Sequence, residues 1–159
     1  MRLFFLRHGL ADRSQWHGPD FERPLTPEGK ERMQREAEFM ARLNLEFELI
    51  ITSPLTRALQ TAQIVAEHLF LSHVLKEDER LVGLDLNTLE EILNENPHPE
   101  SILLVGHEPD FSYTIGSLIG RADIVCKKGS LARVDIHSPY DLGGELVWLL
   151  PPKVLAIRD

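Results

Sequence analysis

Three short apolar runs, each followed at once by polar residues with reactive side chains, constrain the fold of this chain more than any other feature. Residues 3–6, 49–51 and 102–105 have the length of buried strands and are too short for ordinary helices. The polar groups that follow them are Arg7-His8-Gly9, Thr52-Ser53 with Arg57 close behind, and Gly106-His107. Parallel α/β sheets collect such residues at the carboxyl ends of their strands. The pattern therefore predicts an α/β domain with one site that contains two histidines and two arginines.

The side chains of Arg7, His8, Arg57 and His107 limit the chemistry of this predicted site. Guanidinium groups bind phosphate oxygens through planar, permanently charged forks, and an imidazole can act as a nucleophile near neutral pH. Either histidine alone would be an ordinary strand-end residue, but their occurrence together with both arginines favours a site. The simplest interpretation is a phosphoryl group held by Arg7, Arg57 and His107 and attacked by His8. With no cysteine nearby and no carboxylate cluster, no metal or other cofactor is expected.

Strand and helix signals alternate along the chain, which indicates a layered α/β domain with a largely parallel sheet. Thr26 is predicted to cap a helix that begins at Pro27 and ends near Asn44. Ser53 and Pro54 mark the start of a second helix, and capping explains Ser53 without a catalytic role. The other predicted elements are a strand near 74–75, helices around 88–94 and from 109 or 110 to 120, and strands 131–136 and 145–150 joined through 139–144.

Four segments resemble, in order, the motifs of the histidine phosphatase superfamily, the phosphoglycerate mutase-like proteins. They are Leu6-Arg7-His8-Gly9, Arg23-Pro24-Leu25-Thr26-Pro27-Glu28-Gly29, the segment 53–62 beginning Ser53-Pro54-Leu55-Thr56-Arg57, and Val105-Gly106-His107-Glu108-Pro109. The match runs from Met1 to about Gly120, and the short length and the Arg-Pro-Leu-Thr segment are most similar to SixA-type phosphohistidine phosphatases. The resemblance implies a three-layer α/β/α sandwich with a mostly parallel central sheet.

The resemblance also implies roles for the matching residues. His8 matches the family's nucleophile, which becomes phosphorylated during turnover, while Arg7, Arg57 and His107 match residues that surround the phosphoryl group. Cationic side chains can stabilise the charge of a dissociative phosphoryl transfer, so the implied mechanism needs no metal. These four residues are the expected catalytic set.

Two further residues of the motifs, Gly9 and Arg23, are expected to bind substrate. Gly9 would let the backbone pass close to the substrate, although a turn at the end of the strand explains a glycine nearly as well. Arg23 would lie near the substrate entrance, with an ion pair to Glu22 or Asp20 on the same loop as an equal alternative.

The general acid is where the chain departs from the family pattern. Many members place a carboxyl group after the third strand to protonate an alcohol leaving group. Glu79 and Asp85 are only loosely in that region, and a solvated surface carboxylate is the more ordinary interpretation of each. A phosphohistidine substrate would ease the problem, since its P–N bond is labile and its imidazole can leave already protonated on the other nitrogen.

Length, charge and cysteine content restrict the setting in which this chemistry would occur. The 159 residues suit a single domain, 1–159, and the formal net charge of −8 argues against a nucleic-acid partner. An anionic substrate would then be attracted by a local positive pocket. No apolar stretch approaches the roughly 20 residues of a membrane span. Because Cys126 is the only cysteine and the N-terminal apolar run is too short for a signal peptide, a reducing, cytoplasmic location is expected.

These observations favour a phosphatase that works through a phosphohistidine intermediate on a phosphohistidine-bearing protein, such as a phosphotransfer domain. Only about 15 residues separate the second helix from Asp85, too few for a large lid, and an open pocket suits a protein substrate. A phosphatase for small phosphate esters is the first alternative, because fold does not fix substrate. A non-catalytic phosphoprotein-binding module is the second, disfavoured because binding alone needs no nucleophile such as His8.

Overall fold

A computed structural model describes residues 1–158 of the chain. Strands and helices alternate through most of this length, and short 3-10 turns at Asp20–Glu22, Ser72–Val74 and Glu79–Leu81 interrupt the connections. In chain order the elements are β1 (Arg2–Arg7), α1 (Pro27–Arg42), β2 (Leu49–Thr52), α2 (Thr56–His68), β3 (Leu75–Glu77), α3 (Leu86–Glu95), β4 (Ser101–Gly106), α4 (Asp110–Leu118), β5 (Leu131–Ser138), β6 (Asp141–Leu150) and α5 (Pro152–Leu155).

The strands form one mixed sheet in the order β3-β2-β4-β1-β5-β6. β3, β2, β4 and β1 pair in parallel, whereas β5 and β6 are antiparallel to their neighbours. The prediction of an α/β fold is confirmed. The sheet is parallel only through its first four strands: β5 runs antiparallel to β1, and β6 pairs with β5 as a hairpin, which needs no helical crossover.

Each face of the sheet carries its own hydrophobic core, which makes the fold a three-layer sandwich. Successive strand residues point to opposite faces, so Phe4 and Leu6 lie in one core while Leu3 and Phe5 lie in the other. Helices α1 and α2 cover the face of Phe4. Helices α3 and α4 cover the face of Leu3 and Phe5.

The start of α1 is fixed against the loop that follows β1. Thr26 caps the helix as predicted, since its hydroxyl accepts a hydrogen bond from the Gly29 amide at 3.0 Å. The Thr26 amide donates to the Leu10 carbonyl at 3.0 Å. Gly29 lies so close to the same carbonyl that a Cβ atom there would clash with its oxygen. The Arg-Pro-Leu-Thr segment therefore anchors the loop that carries His8 and Gly9.

Two predicted boundaries need correction. β6 begins at Asp141, four residues earlier than the predicted Glu145, and the chain reverses at Pro139 and Tyr140. The register of the hairpin shifts between Ile136 and Ser138, and this irregularity accommodates the glycines that suggested a longer turn. Helix α3 begins at Leu86, two residues before the predicted start. Among residues 1–158, no helix combines the length and the apolar character that crossing a membrane requires.

Candidate active site

The polar ends of β1, β2 and β4 meet at one edge of the sheet. β4 pairs in parallel with both β1 and β2, so the residues that follow these strands are neighbours. The backbone continues the pairing for one residue: the His8 amide donates to the Gly106 carbonyl and the Ser53 amide to the Val105 carbonyl, each at 3.0 Å. The imidazole rings of His8 and His107 lie with their centroids 5.4 Å apart.

A cavity of about 390 Å³, here called the catalytic cavity, opens over these rings. It brings together five of the six predicted site residues, the exception being Gly9. Its lining consists of Arg7, His8, Ala11, Asp12, Arg13, Arg23, Arg57, His107, Glu108 and Lys128. Five of these ten side chains are arginine or lysine, so the cavity is strongly cationic within a chain of net charge −8.

The hydrogen bond of His8 decides which of its ring nitrogens is nucleophilic. Its Nδ1 lies 2.7 Å from the carbonyl oxygen of Gly9, which can only accept. Nδ1 therefore carries the proton, and Nε2 keeps an unprotonated lone pair. Burial, with smaller contributions from His107, Arg57 and Arg7, lowers the pKa of His8 to about 3 against the opposing effect of the Gly9 carbonyl. The ring is neutral at physiological pH, as nucleophilic attack requires.

His107 is oriented by Ser53, and sequence reasoning missed this contact. Its Nε2 lies 2.7 Å from the Ser53 hydroxyl, which also accepts the Leu55 amide at 3.2 Å. Ser53 is fully buried, and His107 is the acceptor within reach of its O–H in the described chain. The Ser53 hydroxyl therefore donates a hydrogen bond to Nε2. The proton of the neutral ring is then on Nδ1, and this N–H is available to a ligand. Nδ1 is buried and has no hydrogen-bond partner.

The structure corrects the interpretation of Ser53 as a helix cap. The N-cap of α2 is Leu55, which makes no side-chain cap, and the helix begins at Thr56. Pattern alone favoured capping because serine, proline and a helix followed in order. The contact with His107 joins residues 54 positions apart, and no local signal reports it.

Arg7 and Arg57 each have an unpaired Nε, although other nitrogens of both guanidinium groups are hydrogen-bonded. Nη1 of Arg7 donates to the Cys126 carbonyl at 2.9 Å, and Nη1 of Arg57 donates to the Asp20 carbonyl at 2.9 Å. The Nε atoms of both arginines are buried and unpaired, like Nδ1 of His107. Unpaired buried donors are rare, and these three belong to residues that line one cationic cavity, which points to an anionic ligand there.

Asp20 links two arginines that line the catalytic cavity. Its carboxylate forms ion pairs at 3.2 Å with Nε of Arg23 and with Nη2 of Arg57. Arg23 is buried and also donates to the Ala11 carbonyl. Arg23 therefore forms the ion pair with Asp20 that the sequence allowed, and it also lines the catalytic cavity. Burial alone would raise the pKa of Asp20, but Arg57 and Arg23 hold it below its ordinary value.

Gly9 acts through its backbone and lies outside the lining of the catalytic cavity. Its carbonyl accepts the hydrogen bond from His8, and its amide donates to the Thr61 hydroxyl at 3.1 Å. A Cβ atom at Gly9 would lie 3.4 Å from the side chains of Leu25 and Met33. In the structure Gly9 therefore orients His8, and its predicted contact with substrate stays a prediction.

Neither sequence candidate for the general acid lines the catalytic cavity. Asp85 caps α3 by accepting the Thr88 amide at 2.8 Å, and Glu79 lies in an exposed 3-10 turn. The carboxylates that do line it are Asp12 and Glu108. Glu108 accepts hydrogen bonds from the amide and the hydroxyl of Ser112. Within residues 1–158, no group of three or more His, Cys, Asp or Glu residues is arranged to hold a metal ion.

Comparison with known proteins supplies the family. The sequence model of the histidine phosphatase superfamily (branch 1) matches residues 3–100, well over half of the chain. This chain belongs to the histidine phosphatase superfamily. Its relatives include phosphohistidine phosphatase SixA of Escherichia coli, 32% identical with 96% of this chain and 94% of that protein covered. An uncharacterized protein of Picosynechococcus is 34% identical, with 95% of this chain and all of that protein covered.

Solved structures of this superfamily share the fold over nearly the whole chain. A protein histidine phosphatase SixA complexed with tungstate superposes with a TM-score of 0.83 at 27% identity, covering 98% of this chain and 99% of that one. A phosphohistidine phosphatase SixA from Agrobacterium tumefaciens gives a TM-score of 0.79 at 23% identity, covering 95% and 98% of the two chains. The second likeness shows the fold alone. Together these matches make the chain SixA-like.

Proposed function

We propose that this protein is a phosphatase that removes the phosphoryl group from phosphohistidine on a partner protein, through a phosphorylated His8. The observation that carries the proposal is the state of His8 in its cavity. Its Nδ1 is hydrogen-bonded to Gly9, its Nε2 is unprotonated, and Arg7, Arg57 and His107, each with an unpaired buried donor, line the same cavity. Membership of the superfamily supports phosphatase activity.

In the first step Nε2 of His8 attacks phosphorus. The Nε2–P bond forms as the P–N bond to the substrate imidazole breaks, and that imidazole, protonated on its other nitrogen, leaves as the neutral ring. His8 keeps the proton on Nδ1, which is hydrogen-bonded to the Gly9 carbonyl. Phospho-His8 is therefore protonated on its other nitrogen, and its imidazole is a good leaving group. Neither departure requires a strong general acid, so the two steps depend neither on Glu79 and Asp85, which lie outside the lining of the catalytic cavity, nor on Asp12 and Glu108, which lie within it.

In the second step water attacks phospho-His8. The O–P bond forms as the Nε2–P bond breaks, the electron pair returns to Nε2, and one water proton stays on phosphate while the other passes to solvent. The guanidinium groups of Arg7 and Arg57 and the imidazole of His107 would donate to the phosphoryl oxygens in both steps. Because charge spreads over these oxygens in the transition state, donors held in fixed positions lower the barrier.

A protein substrate is supported by two observations. A relative aligned over nearly its full length is phosphohistidine phosphatase SixA. The leaving group of phosphohistidine also needs no acid, whereas an alkyl phosphate ester does. Hydrolysis of small phosphate esters is the alternative, and a rate comparison between the two substrate classes decides between them.

The proposal is tested with His8→Ala and with His73→Ala as a control at an exposed histidine. A phosphotransfer domain phosphorylated on histidine serves as substrate. Wild type and His73→Ala should release phosphate and, on rapid quenching, carry an acid-labile, base-stable label, whereas His8→Ala should do neither while keeping a native circular dichroism spectrum. Turnover by a folded His8→Ala variant would overturn the mechanism.

A further inference from the structure

A second cavity, of about 340 Å³ and here called the side cavity, adjoins the catalytic cavity. Arg7 and Lys128 line both, so the two spaces share a wall. The side cavity lies between α1, the loop after β1 and the turn before β5. Its polar wall consists of Arg7, Arg32, Glu36, Lys127 and Lys128, with Gly129 beside Glu36.

Glu36 is the unexpected member of this wall. The residue is 1% exposed, and its Oε2 is buried without a hydrogen-bond partner. Burial raises the pKa of Glu36 to about 9, against the opposing charges of Arg32 and Arg35. At neutral pH the group is therefore an uncharged acid that can donate a hydrogen bond. A buried polar group without a partner costs stability, so its presence beside a cavity points to a ligand.

The shape of the wall keeps Glu36 at this place. Gly129 has a φ of +80°, and a Cβ atom there would lie 2.6 Å from Oε1 of Glu36. The Gly129 amide donates to the carbonyls of Arg7 and His8 at 3.1 and 3.0 Å. Glu36 thus packs against the turn at Gly129, and the amide of Gly129 is hydrogen-bonded to the backbone of Arg7 and His8.

The charges around Glu36 select an anion. Lys127 and Lys128 are exposed, and within the part of the chain that the structure describes neither forms an ion pair. Arg32 pairs with Glu28 at 2.8 Å but is half exposed. A cationic ligand would meet these three positive charges, whereas a carboxylate would be attracted by them and could accept the Glu36 proton in a hydrogen bond.

We propose that the side cavity is a second anion subsite, which takes an acidic side chain lying next to the phosphohistidine of the substrate protein. The inference rests on the proposed function. Because the two cavities share Arg7 and Lys128, a phosphoryl group over His8 and a carboxylate in the side cavity can belong to one segment of a partner. The subsite gives a strongly acidic enzyme a way to select an acidic sequence around the phosphorylated residue.

The test compares two phosphohistidine peptides, one with glutamates on both sides of the phosphohistidine and one with glutamines. The expected kcat/KM of wild type is about tenfold higher for the acidic peptide. The double variant Arg32→Gln, Lys127→Gln should reduce this preference to about twofold or less, while Lys30→Gln, an exposed residue of the same helix, should retain it. Glu36→Gln, which remains a neutral donor, should keep more of the preference than Glu36→Met. A wild type without preference, or a double variant that retains it, would overturn the proposal.

A binding experiment separates this proposal from the proposed function. The unphosphorylated acidic peptide, added to the ¹⁵N-labelled protein, should shift the amide signals of Gly29 and Gly129, both of which line the side cavity. The glutamine peptide should shift them much less, and the double variant should lose the difference. If neither phosphopeptide is hydrolysed, the proposed function fails while this binding still supports the subsite. Equal shifts of these amide signals with the acidic and the glutamine peptide would reject the anion subsite.

Discussion

Replacing Glu36 by glutamine should remove a specific pH dependence from the stability of the protein. Folding keeps the Glu36 carboxyl protonated up to a pKa of about 9, whereas in the unfolded chain its ordinary value is 4.5. Between these values the folded state binds one more proton than the unfolded state, so the free energy of unfolding falls as pH rises. Glu36→Gln has no proton to lose and should not show this fall.

The size of the effect follows from the pKa difference. Each pH unit inside the window is worth about 1.4 kcal/mol, so at pH 7 the cost of keeping Glu36 protonated approaches about 3 kcal/mol. His8 and His107 act in the opposite direction. Burial lowers their pKa values to about 3 and about 4, so stability falls as pH drops below about 6.5. Wild type and Glu36→Gln both contain these histidines, so the difference between their curves of stability against pH gives the contribution of Glu36 alone.

Urea denaturation, followed by circular dichroism at fixed ionic strength between pH 5.5 and 8.5, measures the difference. The stability of wild type should fall relative to Glu36→Gln by about 1.3 kcal/mol per pH unit across this range, which lies inside the window. Glu38→Gln, on the exposed side of the same helix, should run parallel to wild type. Parallel curves for wild type and Glu36→Gln would show that Glu36 is ionised in the folded protein and would refute the reasoning.

Three further predictions concern the reaction. Ser53→Ala removes the hydroxyl that fixes the His107 tautomer and should lower kcat by about 10- to 100-fold with little change in KM, whereas Ser72→Ala, at an exposed serine, should not; an unchanged kcat would remove Ser53 from the mechanism. Exhaustive treatment with EDTA should leave the rate unchanged, and a loss restored by one divalent ion would contradict the metal-independent chemistry. A phosphohistidine protein should exceed 3-phosphoglycerate or a sugar phosphate in kcat/KM by at least about tenfold, and an ester that matched it would establish the alternative substrate class.

Much of the fold could be predicted because its signals are local. The capping of α1 by Thr26 and the three strands that end in polar residues depend on residue types that are neighbours in the chain. The start of β6 at Asp141 could not be found in this way, because glycines 143 and 144 suit a turn as well as an irregular strand. Only the pairing of β6 with β5 distinguishes a turn from an irregular strand here, and this pairing is a contact between strands that the local sequence does not report.

Residue type and strand-end position were enough to select His8, Arg7, Arg57 and His107 as the candidate site residues. Their protonation and their surroundings could be read only from the folded chain. The proton on Nδ1 of His8, the tautomer of His107 and the neutral state of Glu36 depend on hydrogen bonds and burial. Residue type sets what a side chain can do, whereas its pKa and its partners depend on burial and on the groups that folding places beside it, some of them distant in sequence, as Ser53 is from His107.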